Sequence, residues 1–356
     1  MERKRLGDIA TYINGYAFKP EDRGTEGLPI IRIQDLTGNS YDLGFYSGKY
    51  PERIEINDGD VLISWSASLG VYVWGRGKAL LNQHIFKVVF DKASIDKQYF
   101  VFAVQYKLQE MEAKTHGATM KHIVKKDFDN TMVPFPSIDR QEEIAIILKK
   151  VSGIIEARQK EISALDDLIK ARFVEMFGDI IRNNKGWPQY IFSDIATSRL
   201  GKMLDAKQQT GKYKYPYLAN FNVQWFRFEL ENLNEMDFNE ADQVEFQLND
   251  GDLIVCEGGE IGRCAVWHNE IQPCYFQKAL HRVRCNTNVV LPDYLARWFQ
   301  YNCEHGGFAS IEGAKATIAH LPGAKLKLLK VTIPPIELQE RFVSFVSQVD
   351  KSKLIA

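Results

Sequence analysis

Familiar catalytic signatures are missing from this 356-residue chain. There is no G-x-x-x-x-G-K-[ST] phosphate loop, no G-x-S-x-G and no H-E-x-x-H, which removes the usual marks of P-loop, serine-hydrolase and zinc-protease chemistry. Gly258-Gly259-Glu260-Ile261-Gly262 is not G-x-G-x-x-G, and no βαβ pattern surrounds it. Ile333-Pro334-Pro335-Ile336 lacks the preceding Asn or Asp and the following aromatic of an amino-methyltransferase loop. No run of 18 apolar residues occurs, so no membrane span is expected. The N-terminal Met-Glu-Arg-Lys-Arg has no apolar stretch behind it, so a cytoplasmic protein is expected. The five cysteines (Cys256, Cys264, Cys274, Cys285 and Cys303) all lie in the second half, with no C-x-x-C. Reduced thiols therefore fit better than a zinc site borrowing His268 or His281, and neither metal nor cofactor is expected. Net charge is −1, which lacks the basic excess of many nucleic-acid binders. A basic face can still coexist with acidic helices, so the total leaves that class open.

What is present is a duplication. Asn57-Asp58-Gly59-Asp60 followed by Val-Leu-Ile returns as Asn249-Asp250-Gly251-Asp252 followed by Leu-Ile-Val, 192 residues later. Ala118-Thr119-Met120-Lys121-His122-Ile123 returns as Ala316-Thr317-Ile318-Ala319-His320-Leu321, 198 residues later. At the same offset, Pro136-Ser137-Ile138-Asp139-Arg140-Gln141-Glu142 parallels Pro334-Pro335-Ile336-Glu337-Leu338-Gln339-Glu340. Pro29–Ile33 parallels Pro216–Asn220, and Asp8-Ile9-Ala10 parallels Asp194-Ile195-Ala196. A period this long means two copies of one domain rather than a solenoid. The paired carboxylates sit in Asn-Asp-Gly-Asp turn chemistry, which argues against acid–base or metal work. His122 and His320 occupy equivalent positions, and a shared packing device fits them better than a catalytic base.

Each copy alternates short β-type runs with Gly, Pro and Asn turns: Ile30–Ile33, Val61–Ser64, Val71–Trp74 and Phe86–Phe90, then Tyr217–Asn220, Leu253–Cys256, Cys264–Trp267 and Leu280–Arg284. A helical stretch follows in each, at about Asp96–Ala113 and Pro292–Tyr301. The fold class is α+β, with each copy a domain of roughly 140–150 residues.

Between the copies, Gln141–Phe177 contains no Pro and one Gly, Gly153. Leu148, Ile155, Ile162, Ile169 and Met176 fall seven apart, with Ile144, Val151 and Leu165 on the companion column. That spacing predicts a coiled-coil seam in a helix of roughly 55 Å. Gly178-Asp179 ends it. Phe342, Val346 and Val349 repeat the pattern of Ile144, Leu148 and Val151 in a shorter C-terminal helix. Antiparallel pairing of the two helices, which places the globular domains at opposite ends, satisfies the seam; the alternative is an intermolecular dimer helix.

Binding features are better represented than catalytic ones. Arg199–Tyr215 carries five cations, including Lys202, Lys207, Lys212 and Lys214, interleaved with Gln, Tyr and Gly. The first copy offers Tyr16, Lys19 and Arg23, then Arg32 and Gln34, at the matching place. Such loops can neutralise phosphates and read base edges; the alternative is a solvated surface loop. A second loop pair, Ser64–Gly70 and Cys256–Gly262, shares its frame while its side chains differ. That divergence suits two readers of different sequences, and drift after duplication would also produce it.

The ordered set resembles the DNA-specificity subunit of bacterial type I restriction–modification systems over essentially the whole length. The resemblance is carried by the strands at 57–63 and 249–255 and by Gln83 and Gln277. It is carried also by the segments 117–123 and 316–321, the Pro-x-Ile-x-x-Gln-Glu helix starts, and the helix ending Lys170-Ala-Arg-Phe-Val-Glu-Met-Phe-Gly178. It implies two tandem target-recognition domains in a pseudo-two-fold arrangement, at 1–140 and 181–335. A conserved spacer helix at 141–180 joins them and pairs antiparallel with a truncated conserved helix at 336–356. The family pattern has a second helix about as long as the first.

The resemblance further implies that each domain reads one half of a split double-stranded DNA sequence and that the spacer fixes the gap. Adenine methylation and ATP-driven cleavage would belong to two modification subunits and to restriction/translocase subunits, leaving this chain non-enzymatic. The expected DNA-binding residues are Tyr16, Lys19, Arg23, Arg32, Gln34, Trp65, Ser66 and Arg76 in loops 14–35 and 64–76. In loops 199–224 and 257–263 they are Lys202, Lys207, Lys212, Lys214, Asn220, Glu257 and Arg263. The rival readings are an interaction scaffold that binds modification subunits without reading DNA, and a methyltransferase or nuclease in its own right.

Overall fold

The structure, a computed structural model, describes residues 2–39, 42–114, 123–205, 209–308 and 320–354. The chain divides into two compact units, Met1–Ala157 and Arg158–Ala356. Lys207, His122 and most of the repeated Ala-Thr segments lie outside the described residues.

The fold is α+β, and the two units share one plan. In the first, a four-stranded antiparallel sheet runs in the order Thr11–Asn14, Ile85–Val89, Val61–Ser64, Gly70–Val73. In the second, the order is Ala196–Leu200, Leu280–Cys285, Leu253–Cys256, Cys264–Val266. Each unit adds a second sheet containing one parallel pairing: Ile30 opposite Leu80 in the first, Tyr217 opposite Tyr275 in the second.

The Asn-Asp-Gly-Asp strand is central because it is buried on both faces. Val61 and Ile63 pack against Phe86, Phe100 and Val104, whereas Leu62 packs against Trp74, Leu80 and Leu81. Leu253 and Val255 likewise face Tyr294 and Phe299, whereas Ile254 and Cys256 face Trp267, Tyr275 and Phe276. Two-sided burial explains an unbroken apolar run where a half-exposed strand would alternate. The preceding turn closes identically in both units: Asn57 and Asn249 each donate their amide to the carboxylate three residues on, at 2.8 Å. Gly59 and Gly251 stand at φ +88° and +82°, a conformation that favours glycine.

The long helix spans Ile138–Phe177, starting three residues before the run read from sequence. Its start is clamped by Gln141, which donates to the Pro136 carbonyl at 2.9 Å and accepts from the Asp96 amide at 3.0 Å. Gln339 does the same in the second unit, with Pro334 at 2.8 Å and Leu291 at 2.9 Å. Both glutamines are buried. Gly178, at φ +75°, ends the helix.

Within the second unit, the C-terminal helix Ile336–Lys353 lies antiparallel to the end of the long helix. The Phe342 ring packs 5.4 Å from both Phe173 and Phe177, and eleven residues later Lys353 pairs with Asp166 at 2.7 Å. The seam read from sequence is only partly covered. Ile169, Phe342 and Val349 are buried, with Leu165, Met176 and Val346 packed against them. Ile144 is half-buried, and Leu148, Val151, Ile155 and Ile162 are exposed. At the covered end the buried stripe is Ile169, Phe173, Phe177, spaced four apart. This i, i+4 stripe runs beside the heptad positions Leu165, Ile169 and Met176, which pack on the same cluster.

Candidate nucleic-acid interface

In each unit five chain segments meet at one end of the sheets, held by the same set of backbone hydrogen bonds. Tyr16 donates to the Leu81 carbonyl at 2.8 Å and Lys202 to that of Phe276 at 3.1 Å. Gln83 and Lys278 donate back to Tyr16 and Lys202, both at 2.9 Å. Asn82 bonds Ile31 at 3.0 Å, as Gln277 bonds Leu218 at 3.1 Å. Trp65 and Glu257 donate to His84 and Ala279 at 3.2 and 2.9 Å, and accept from Ile123 and Leu321 at 2.9 and 2.6 Å. In the last pair, the residue that follows each repeated histidine in sequence, Ile123 or Leu321, pins the loop after the central strand. These bonds also correct one pairing read from sequence, because Gln277 corresponds to Asn82 rather than to Gln83.

The junction tolerates nothing larger than glycine at its closest approach. A Cβ on Gly15 would stand 2.0 Å from the Asn82 carbonyl oxygen, and one on Gly201 2.4 Å from that of Gln277. With the backbone fixed in common, the side chains at matched positions diverge: Tyr16 against Lys202, Arg32 against Ala219, Trp65 against Glu257, His84 against Ala279, Phe86 against His281.

In the first unit Tyr16 is exposed and begins an aromatic chain through Phe18 to Tyr46, with centroids 5.0 and 5.1 Å apart. Trp65 stacks on Phe86 and donates its indole N–H to Asn14 at 3.3 Å. Ser66 is buried. The cations are mostly engaged with the protein. Arg23 faces Asp42 at 3.6 Å, Arg32 pairs with Asp35 at 3.2 Å, and Arg76 donates to the Asp35 carbonyl at 2.7 Å. Arg32 also reaches the Asp42 carbonyl. Lys19 and Gln34 are exposed at the loop surface. The Arg32 amide binds Asp35 at 2.8 Å, and at the matching place the Ala219 amide binds Asn222 at 2.9 Å.

In the second unit Lys202 is largely withdrawn, since its ammonium binds Asp242 and the Asp237 carbonyl. Arg263 donates to the Asn220 side chain at 2.7 Å, and Asn220 donates to the Gly258 carbonyl at 2.7 Å, tying the loops 199–224 and 257–263 together. Lys212 and Lys214 are exposed, with no ion pair among the described residues. The structure adds residues the sequence did not single out. Lys278 is exposed on the junction turn and Trp225 donates to Glu260 at 2.8 Å, while His320, read from sequence as a packing device, sets its ring beside Gly258. Their signal was present in the duplication, because Lys278 is one residue from Gln277, but only strand pairing reveals the neighbourhood.

Burial sets the local titration. It pushes the Cys256 thiol up to about 11 despite nearby Arg263, and it lowers the His281 imidazole, which sits against the Leu321 carbonyl at 3.1 Å. At neutral pH the thiol is therefore protonated and the imidazole neutral. Among the described residues no three or more His, Cys, Asp or Glu side chains are grouped to hold a metal ion. No helix there is long and apolar enough to cross a membrane. The arrangement offers indole and phenol rings, amides, the carboxylates of Glu257 and Glu260, and peripheral ammonium groups on a rigid backbone frame, which is chemistry for contacting a polyanion and its base edges.

Comparison with known proteins bears on both units. The family described as type I restriction modification DNA specificity domain matches residues 1–165 and again 184–356. The specificity subunit of the type I restriction enzyme EcoBI from Escherichia coli is 22% identical over 387 residues, covering 98% of this chain and 78% of that one. The MjaVIII specificity subunit from Methanocaldococcus jannaschii is 23% identical over 271 residues, covering 72% of this chain and 61% of that one. Among solved structures, the S subunit of a type I restriction–modification system from M. genitalium superposes with a TM-score of 0.54 at 13% identity, covering 99% of this chain and 90% of that one.

Proposed function

The chain belongs to the type I restriction modification DNA specificity family, and from that membership we propose how its two units divide the work. It is a DNA sequence-specificity subunit. Loops 14–35 and 64–76 of the first unit read one half of a split duplex site, and loops 199–224 and 257–263 of the second read the other. Residues 1–140 and 181–335 are the recognition domains, with 141–180 and 336–356 as the helices that join and brace them. The chain itself supplies no catalysis; two modification subunits methylate, and restriction subunits join the assembled complex.

One observation carries this reading. The same backbone hydrogen bonds recur at both junctions while the side chains they present differ, as with Trp65 and Glu257. A constant frame with variable side chains is what two half-site readers of different sequence require. Glu257 would accept from a cytosine amino group, and Gln34 or Asn220 would pair with adenine edges. Lys19, Lys212, Lys214 and Lys278 would neutralise phosphates.

The test is selection from a random duplex library by the chain assembled with its modification subunits. Enrichment of one sequence split by a fixed gap, weakening steeply with salt, is the expected result. No split sequence enriched, with the complex intact, would leave only a scaffold.

A further inference from the structure

Asp237 places its backbone and side chain around the basic segment that precedes the strand Lys214–Leu218. Its Oδ2 accepts from the Thr210 hydroxyl at 2.8 Å, the Gly211 amide at 2.7 Å and the Thr210 amide. Its Oδ1 accepts from the Tyr213 amide at 3.3 Å. Its own amide donates to the Gln209 side chain at 2.9 Å, and its carbonyl accepts from Lys202 at 2.6 Å. Asp237 is buried, and it lies directly opposite Lys214 in the antiparallel ladder.

A carboxylate beside a DNA-contacting loop would ordinarily repel phosphate. Here the charge is enclosed by donors from Thr210, Gly211 and Tyr213, while Lys212 and Lys214 of the same segment are exposed. The anchor thus orders the turn without presenting negative charge to a ligand. At the matching register position the first unit has no carboxylate among the described residues. Its register sets Pro29 opposite Phe45, as Pro216 is set opposite Glu235, so Ser47 stands at the position of Asp237. There the corresponding loop is held instead by the paired backbones of Gly24 and Phe45, at 2.8 and 3.1 Å.

We propose that Asp237 is a positioning residue for DNA recognition by the second unit, holding Lys212 and Lys214 where they neutralise backbone phosphates of that half-site. This rests on the reading of the chain as a specificity subunit. The residue touches no DNA and acts through the two lysines.

A double-mutant cycle on the assembled complex tests it, using a duplex bearing the selected site and affinities measured across a salt series. Lys212→Ala with Lys214→Ala should flatten the slope of log affinity against log salt by about two, one for each phosphate contact. Asp237→Asn replaces an acceptor of four hydrogen bonds by a group that cannot accept them all. It should flatten the slope in the same sense and lower affinity about tenfold, with little further loss when added to the lysine changes. A variant that only loosened the fold would leave the slope of the folded fraction unchanged.

Thr210→Val removes one donor to the same carboxylate and should give a smaller change of the same kind; it decides the matter should Asp237→Asn not fold. A wild-type slope in the Asp237→Asn or Thr210→Val protein, or losses that add fully to those of the lysine variants, overturns the proposal. So does a null effect of the lysine changes, with the selected site still bound. If the wild-type complex selects no split site, the specificity reading falls and the proposal with it.

Discussion

At Gly15 and Gly201 the absence of a side chain lets the first loop of each unit cross the turn at Asn82 or Gln277. Alanine at either would drive a methyl group into a backbone carbonyl, at 2.0 or 2.4 Å, and backbone cannot rotate away as a side chain could. Gly201→Ala should therefore cost about 1–3 kcal/mol in a urea titration, the usual range for overpacking. It should also abolish discrimination at one half-site while sparing the other; loss at both halves would count against separate readers. His281 makes a different prediction, because it is fully buried in the second unit where the first has Phe86. Burial lowers its pKa below the ordinary 6.5; the Leu321 carbonyl and Glu257 oppose that, and Lys327 reinforces it. The folded protein then binds fewer protons than the unfolded chain at pH values under 6.5. Stability is full above that value and falls as the pH drops through it toward the depressed value, by at most about 1.4 kcal/mol per pH unit. Urea midpoints between pH 8 and 5.5 should show this decline, and His281→Gln should remove it. A decline that persists in the variant would place the proton elsewhere.

Among the elements, the helices divide into a covered end and an exposed middle, and mutation should distinguish the two. Phe342 is buried between Phe173 and Phe177, so Phe342→Ala should destabilise the second unit by about 3–5 kcal/mol in denaturant titration. Val151→Gln and Ile155→Gln, at exposed positions, should each change stability by no more than about 0.5 kcal/mol. A large loss from either would mean that the middle of the helix is covered in solution. The same contrast shows what the sequence could convey. Periodicity locates the helix to within three residues at its start, because the lack of proline and the terminal glycine act locally. It does not locate the packing, since Phe173 and Phe177 bury against tertiary partners such as Tyr294 and Phe342 that heptad spacing does not contain. The central strands were legible for the opposite reason: Val61–Ile63 and Leu253–Cys256 are apolar throughout because both faces are buried. The loops resisted reading. Lys202 and Arg263 look like free cations in one dimension, and only folding brings Asp242 and Asn220 against them.

For the whole molecule, the duplication makes a quantitative demand. A net charge of −1 supplies little long-range attraction for DNA, so affinity must come from local cations and from contacts matched to sequence. If each unit carries its own junction, replacing one half of the selected site should cost a set free energy whether or not the other half is intact. Mismatches typically cost about 1–3 kcal/mol per base pair and add when well separated. The expected result is that a duplex with both halves replaced loses the sum of the two single losses, to within about 0.5 kcal/mol. Salt should act on a different axis. Raising it should weaken matched and mismatched duplexes together, since phosphate contacts carry no sequence information. Glu257→Gln then links the two scales, because it leaves every mapped backbone bond in place and changes one side chain. It should shift base preference at one half, leave the other half unaltered, and keep the two losses additive. Strong non-additivity in the wild type would mean that the halves are read as one surface, and the repeated junctions would then be a common scaffold rather than two separate readers.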